Sequence, residues 1–263
     1  MLAGPLPDGL ARWVHERSVD LGWPMHLGAP GAQPTPRLLG AATSNCLTAN
    51  DWICGLYLRQ RHAQLTQALG QHLVLTLESL LIGLVLAFPL ALLARRSRAW
   101  DVGVTGVTTV VYTIPSLALF ALLLPFTGLS QTTVLIGLTL YTLVILVRGI
   151  VSGLAAVPPD VLDAARGMGY SPVRLFTTVA LPLALPTIAA ALRVAFVSTV
   201  AITTIGSIVG YGGLGNLISD GVGSLFKAEV LTASVVCVLI AVAGDLAILG
   251  LVRLVTPWRR ALR

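Results

Sequence analysis

Few residues in this chain have a type and spacing suited to covalent chemistry. Its four histidines, His15, His26, His62 and His72, all fall within the first 72 positions. A zinc hydrolase needs two histidines one helical turn apart, and a serine protease needs a histidine beside its nucleophile. Neither arrangement can be assembled from the remainder of the sequence, and a pair of aspartates within the apolar runs is also missing, which leaves an intramembrane enzyme such as a protease as a remote alternative. Gly210, Gly212, Gly213 and Gly215 form a glycine-rich segment, but Asn216 stands where a phosphate-binding loop carries lysine. A tight turn with close backbone approach is the favoured reading there, and a share in a gate is the functional alternative.

The elements that hold these residues are apolar. The chain has 263 residues, of which 56% are hydrophobic and 11% charged, against roughly 25% charged in soluble domains. So few charges cannot cover the surface of a soluble enzyme of this size. Five runs are long enough to span a bilayer, at about 20 residues each: Leu73–Ala94, Gly103–Phe126, Thr132–Ile150, Pro186–Ile208 and Val230–Leu251. Helix is the expected conformation, because hydrocarbon offers no partner to an open backbone group. Pro89 and Pro115 predict kinks in the first two runs.

The arginines set the expected orientation. Arg95, Arg96 and Arg98 follow the first run, Arg148 stands at the end of the third with Arg166 and Arg174 after it, and Arg253, Arg259, Arg260 and Arg263 follow the fifth. The opposite side carries Lys227, with Arg59 and Arg61 before the first run. By the positive-inside rule the arginine side is cytoplasmic, the N-terminus outside and the C-terminus inside. This distribution also argues against nucleic-acid binding, which needs basic residues clustered on a polar face.

Residues 1–65 read as an external arm, with order in the first 37 left open. Six prolines punctuate it, and no secretory signal is legible. Cys46 and Cys54 are spaced for a disulfide, which the spacing alone does not decide. Residues 66–256 form the membrane domain and 257–263 a basic tail. Within the apolar runs, Glu78 either snorkels or faces a pathway. Asp245 either attracts a cation or, as the favoured reading, pairs with Arg148 or Arg193.

The connection over residues 152–185 is the most patterned stretch. Asp160 is placed to cap a short helix containing Asp163, Ala164, Ala165, Arg166 and Gly167, and Gly169 can take positive φ and turn the chain. Ser171 and Pro172 suit the start of a second helix, with Leu181-Pro182 as its stop. The resulting hairpin exposes alanines and a glycine to a partner.

Asp163-Ala164-Ala165, Gly169 four positions later, then Val179-Ala180-Leu181-Pro182 after nine more residues, resembles the EAA loop of bacterial ABC importer permeases. Asp replaces Glu and Val replaces Ile in that pattern. Tyr112–Phe120 (YTIPSLALF), Leu138–Tyr141 (LTLY), Gly210–Ile218 (GYGGLGNLI) and Pro257–Arg260 (PWRR) are similar to the osmoprotectant permeases, which import glycine betaine, carnitine, choline and proline betaine. Gly149 departs from an expected asparagine.

The resemblance implies an all-α integral membrane protein with five, or six, transmembrane helices in the type I ABC importer fold. It sits in the bacterial cell membrane and carries no cofactor of its own. The implied partners are a cytoplasmic ATPase dimer holding ATP and Mg, a second permease subunit (identical or homologous), an external solute-binding protein, and lipid. Tyr112, Pro115, Ser116, Tyr141, Gly212, Gly213 and Gly215 are the candidate pathway or gate residues. Tyr112 and Tyr141, with a few phenylalanines, offer rings for cation–π contact, but no cage is legible. A methionine-type permease, which shares the Gly-Gly-Leu-Gly segment, remains the nearest alternative. A stand-alone channel leaves the patterned loop unexplained.

Overall fold

The structure, a computed structural model, describes residues 45–256. The first 37 residues, considered above for their order, and the basic tail 257–263 lie outside the described residues. Within residues 45–256 every regular element is a helix. A short helix α1 (Gly55–Gln60) leads into α2 (His62–Ala94), α3 (Arg98–Thr113), α4 (Ser116–Thr127) and α5 (Gln131–Ala155). Then come α6 (Pro159–Gly167), α7 (Pro172–Leu175), α8 (Leu181–Thr203), α9 (Leu214–Gly223) and α10 (Lys227–Val255). Four stretches are long and apolar enough to cross a membrane, and the α3–α4 pair makes a fifth if counted as one bent span.

The core lies where α2, α5 and α8 meet, around Ala87, Ala91, Leu146, Ile150, Ala184 and Ile188. Small residues on α2 and α8 let these helices approach closely, which is how helices associate where lipid is as apolar as leucine. Gly149 of α5 is the tightest such point in this interface: an added Cβ would lie 2.0 Å from the Ala191 Cβ. The departure to glycine at this position therefore matches its packing. Thr142 and Thr199 place their hydroxyls 2.9 Å apart between α5 and α8, and Thr76 and Thr203 theirs 3.3 Å apart between α2 and α8.

Three elements depart from the sequence reading. The second apolar run is not one kinked helix: α3 and α4 meet at 96° across Ile114 and Pro115. Proline disfavours helical backbone in the residue before it, and Ile114 is extended at ψ 123°. Pro89, in contrast, sits within an unbroken α2. Nor does Leu181-Pro182 stop a helix, since α7 runs through a π turn at Phe176–Ala180 straight into α8. The wider turn falls just before Pro182, which has no N–H for the carbonyl of Thr178 and would crowd it in a regular helix. Finally, α2 starts at His62, well before the apolar run begins.

Ahead of α1 the structure joins Cys46 and Cys54 in a disulfide with Cα atoms 5.4 Å apart. The closed loop is anchored to the start of α10: Asn50 Nδ2 donates to Leu225 O at 2.9 Å, and its Oδ1 accepts from Lys227 N at 3.0 Å. Tyr57 packs edge-on against Phe226, ring centroids 5.4 Å apart. Burial, with the Glu229 carboxylate beside it, pushes the Tyr57 hydroxyl up to about 12.

The α5–α8 contact yields a packing prediction. Gly149→Ala lowers stability by about 1–3 kcal/mol, the usual cost of overpacking, and adding Ala191→Gly restores it. Thermal unfolding midpoints in detergent measure both; an unchanged midpoint for the single variant contradicts the packing.

Candidate functional site

The patterned hairpin gathers at the end of the bundle that bears Arg95. A cavity of about 240 Å³ there is lined by Leu92, Arg95, Leu154, Leu162, Arg166 and Pro172, among others. α6 follows Pro158, which supplies no side-chain cap, so Asp160 is not the cap anticipated. It stands in the first turn instead, where a carboxylate favours the helix dipole. At the other end, Gly169 N donates to Arg166 O at 2.9 Å and Tyr170 N to Ala165 O at 3.2 Å. This Schellman closure requires the left-handed φ of +80° at Gly169. Ser171 Oγ accepts from Arg174 N at 3.4 Å and caps α7, with Pro172 in its first position.

The alanine pair divides between two faces, because successive helical residues point about 100° apart. Ala165 is buried, with Leu162 packed nearby against the core beside Phe176 and Leu181. Ala164 and Gly167 are exposed. The expected pair of exposed alanines is therefore one alanine, joined by residues that the pattern did not single out: Met168 and Val173 are 69% and 73% exposed. Asp163 and Arg166 pair at 2.7 Å on the solvent side, a contact worth little in water. Arg174 covers the Tyr170 ring at 4.5 Å. Leu181 and Pro182 are half-buried at the start of α8.

A second group lines the break between α3 and α4. Tyr141 of α5 donates its hydroxyl to the Ile114 carbonyl, one of the acceptors that a helix end leaves open. Its ring meets Tyr112 edge-on, centroids 6.1 Å apart at 68°. Tyr112 is half exposed and Tyr141 buried. Pro115 is exposed and Ser116 partly so. The two rings, for which the sequence showed no cage, are neighbours. Arg148, exposed on α5, turns not to Asp245 but to α3, where its Nη2 donates to Thr109 Oγ1 at 2.5 Å.

Among the described residues, Asp245 is held by Arg193 alone. Nε and Nη2 of Arg193 reach its two carboxylate oxygens at 2.7 and 2.6 Å, a bidentate pair between α8 and α10. Glu78 is exposed on α2 and forms no ion pair among the described residues.

The glycine-rich segment closes the opposite end of the bundle. Gly212, Gly213 and Gly215 are buried, and a Cβ on Gly213 would lie 2.7 Å from the backbone N of His72. Asn216 accepts from Gly212 N at 2.9 Å and donates to Gly210 O at 3.0 Å, so it fixes the turn internally. His72, fully buried, places Nδ1 3.3 Å from Gly212 O and Nε2 3.1 Å from Val200 O. A neutral imidazole has one N–H to donate, so it bonds one of these carbonyls at a time and links α2 either to α8 or to the glycine turn. Sequence reading missed this role, since a lone histidine at the start of an apolar run gives no sign of two distant carbonyls.

Comparison with known proteins agrees with this architecture. Residues 79–261 match the family described as binding-protein-dependent transport system inner membrane component. The chain is 33% identical over 207 residues to the glycine betaine/carnitine/choline transport system permease protein OpuCD of Bacillus subtilis, covering 78% of this chain and 90% of that protein. It is 30% identical over 189 residues to the osmoprotectant import permease protein OsmW of Salmonella typhimurium, covering 70% and 88%. Among solved structures, the MetNI methionine ABC transporter in an inward-facing conformation shares the fold, with a TM-score of 0.69 at 23% identity, over 75% of this chain and 98% of that one. An all-helical, multi-span chain with this hairpin and these relatives is a transport subunit without catalytic chemistry of its own, and it belongs to the binding-protein-dependent transport system inner membrane component family.

Proposed function

We propose that this permease imports a quaternary-ammonium compatible solute such as glycine betaine or choline, driven by ATP hydrolysis on a partner subunit. The solute class rests on identity of about 30% to osmoprotectant permeases over most of the chain. The methionine reading has support from the fold alone, at 23% identity.

The observation that carries the coupling role is the exposed, internally fixed hairpin. Ala164, Met168 and Val173 present an apolar knob beside a small, charge-paired rim of Asp163 and Arg166. Its reverse face, through Leu162 and Ala165, is packed into the bundle. Such an element transmits a push from a cytoplasmic ATPase to α5 and α8 without deforming, because the Schellman turn and the Ser171 cap fix its shape. In this reading the arginine-bearing end is cytoplasmic, the N-terminus outside and the C-terminus inside. ATP and Mg are held by the ATPase dimer.

An external binding protein delivers solute at the opposite end, near the glycine turn. There Gly212, Gly213 and Gly215 act as a rigid closing piece, with their Cβ positions already filled by neighbours. A second permease copy, identical or homologous, completes the path. Support comes from surfaces left bare in one chain: none of the most apolar stretch of α10 is buried, and Thr108 is the one buried residue of α3. The break at Ile114–Pro115 lies on that bare α3 side, which suits a pathway element that shifts between outward and inward access.

Two measurements check the coupling role. Gly169→Val forces a β-branched side chain into left-handed backbone, at about 1–2 kcal/mol, and is expected to leave the complex assembled while cutting transport at least tenfold. Wild-type transport by that variant contradicts the assignment. Cysteine placed at Ala164 is expected to cross-link to the ATPase, whereas cysteine at buried Ala165 is not; labelling of Ala164→Cys from outside the cell contradicts the orientation.

A further inference from the structure

The geometry points to a solute subsite in the permease itself, formed by Arg148 and Tyr112, with buried Tyr141 backing the Tyr112 ring, that takes the carboxylate and quaternary ammonium ends of a betaine-class zwitterion. This rests on the solute class proposed above and narrows it.

Arg148 stands seven residues after Tyr141, two turns along the same face of α5. On α3 the partners run the other way: Tyr141 meets Tyr112 and Ile114, while Arg148 reaches Thr109. The two helices are therefore antiparallel along a shared stripe. Thr109 and Tyr112 lie one turn apart, about 5 Å along the axis. The guanidinium, held at Thr109, is thus one turn from an exposed aromatic ring.

Each group has an unused valence. Arg148 is exposed, and the ion pairs among the described residues, Asp163–Arg166 and Arg193–Asp245, leave it without a carboxylate. A guanidinium within a span is costly against lipid and belongs beside water or an anion. Tyr112 has an open ring face, and the Tyr141 hydroxyl is occupied by Ile114 O, so that ring is fixed. An aromatic face attracts a quaternary ammonium, and a planar guanidinium matches a carboxylate. One helical turn is the separation that a small zwitterion bridges. The neighbouring cavity between α2, α3 and α5, lined by Leu90, Trp100, Val107, Leu140 and Leu143, offers one aromatic ring but no charged partner for a carboxylate.

The selectivity that follows is between zwitterions and simple cations. Glycine betaine and carnitine use both halves of the site, and choline, with no carboxylate, uses the Tyr112 ring alone.

The test uses the permease–ATPase complex in nanodiscs of phosphatidylethanolamine and phosphatidylglycerol, so that no choline headgroup competes. The binding protein is left out, and saturation-transfer NMR of the methyl signals reads binding of glycine betaine and of choline. Arg148→Gln is expected to weaken glycine betaine at least tenfold and choline less than twofold. Tyr112→Ala is expected to weaken both, and Tyr112→Phe neither. Should Arg148→Gln fail to fold, Thr109→Val, which removes the hydroxyl holding the guanidinium, is expected to weaken glycine betaine selectively. Equal effects on the two solutes, or no binding to wild type, overturn the subsite. A wild-type complex whose ATPase responds to glycine betaine delivered by its binding protein, but whose binding ignores Arg148, overturns the subsite while leaving the proposed function standing.

Discussion

A membrane interior holds no water to complete a hydrogen bond, and this one constraint accounts for most of what is specific in the chain. Regular helix satisfies its own backbone, so each interruption must find a named partner. At the α3–α4 break, the Ile114 carbonyl is taken by the Tyr141 hydroxyl. In the glycine turn, Asn216 serves both Gly210 O and Gly212 N, and His72 faces Gly212 O. Charge obeys the same rule: Asp245 inside α10 is met at both oxygens by Arg193.

These interruptions are also where the proposed functional elements lie. The rigid part of the molecule is the α2–α5–α8 core, packed through alanine and glycine. The hairpin hangs from it at one end by Leu162, Phe176 and Leu181, and at the other the glycine turn packs against it, Gly213 lying close on the His72 backbone. Between them α3 is bound loosely, with its polar stripe of Thr109 and Tyr112 against Arg148 and Tyr141. A load applied to the hairpin therefore reaches both ends of the core, and the weakly packed α3–α4 elbow is the part with freedom to respond.

Much of this was legible in sequence, for identifiable reasons. Apolar runs reveal spans because length and composition decide insertion. Gly169 and Ser171-Pro172 reveal the hairpin because each residue type has a narrow backbone role, and φ of +80° and the Ser171 cap are found at those positions. What stayed hidden depends on tertiary partners. The side on which Ala164 and Ala165 fall is decided by the core beneath α6. Whether a proline breaks, bends or passes depends on its surroundings: Pro115 gives a sharp elbow with Tyr141 waiting for the freed carbonyl, Pro182 is absorbed by a π turn, and Pro89 stays within a continuous helix. The same limit hid the meeting of Tyr112 with Tyr141 and of Arg148 with Thr109, which lie dozens of residues apart in the chain.

The central claim, an importer subunit for quaternary-ammonium solutes coupled to a separate motor, is tested most directly by solute-dependent ATP hydrolysis. The permease, reconstituted with its ATPase and its solute-binding protein, is assayed with glycine betaine, choline or methionine. The account predicts stimulation severalfold by glycine betaine or choline and none by methionine; stimulation by methionine alone, or hydrolysis indifferent to every solute, contradicts it.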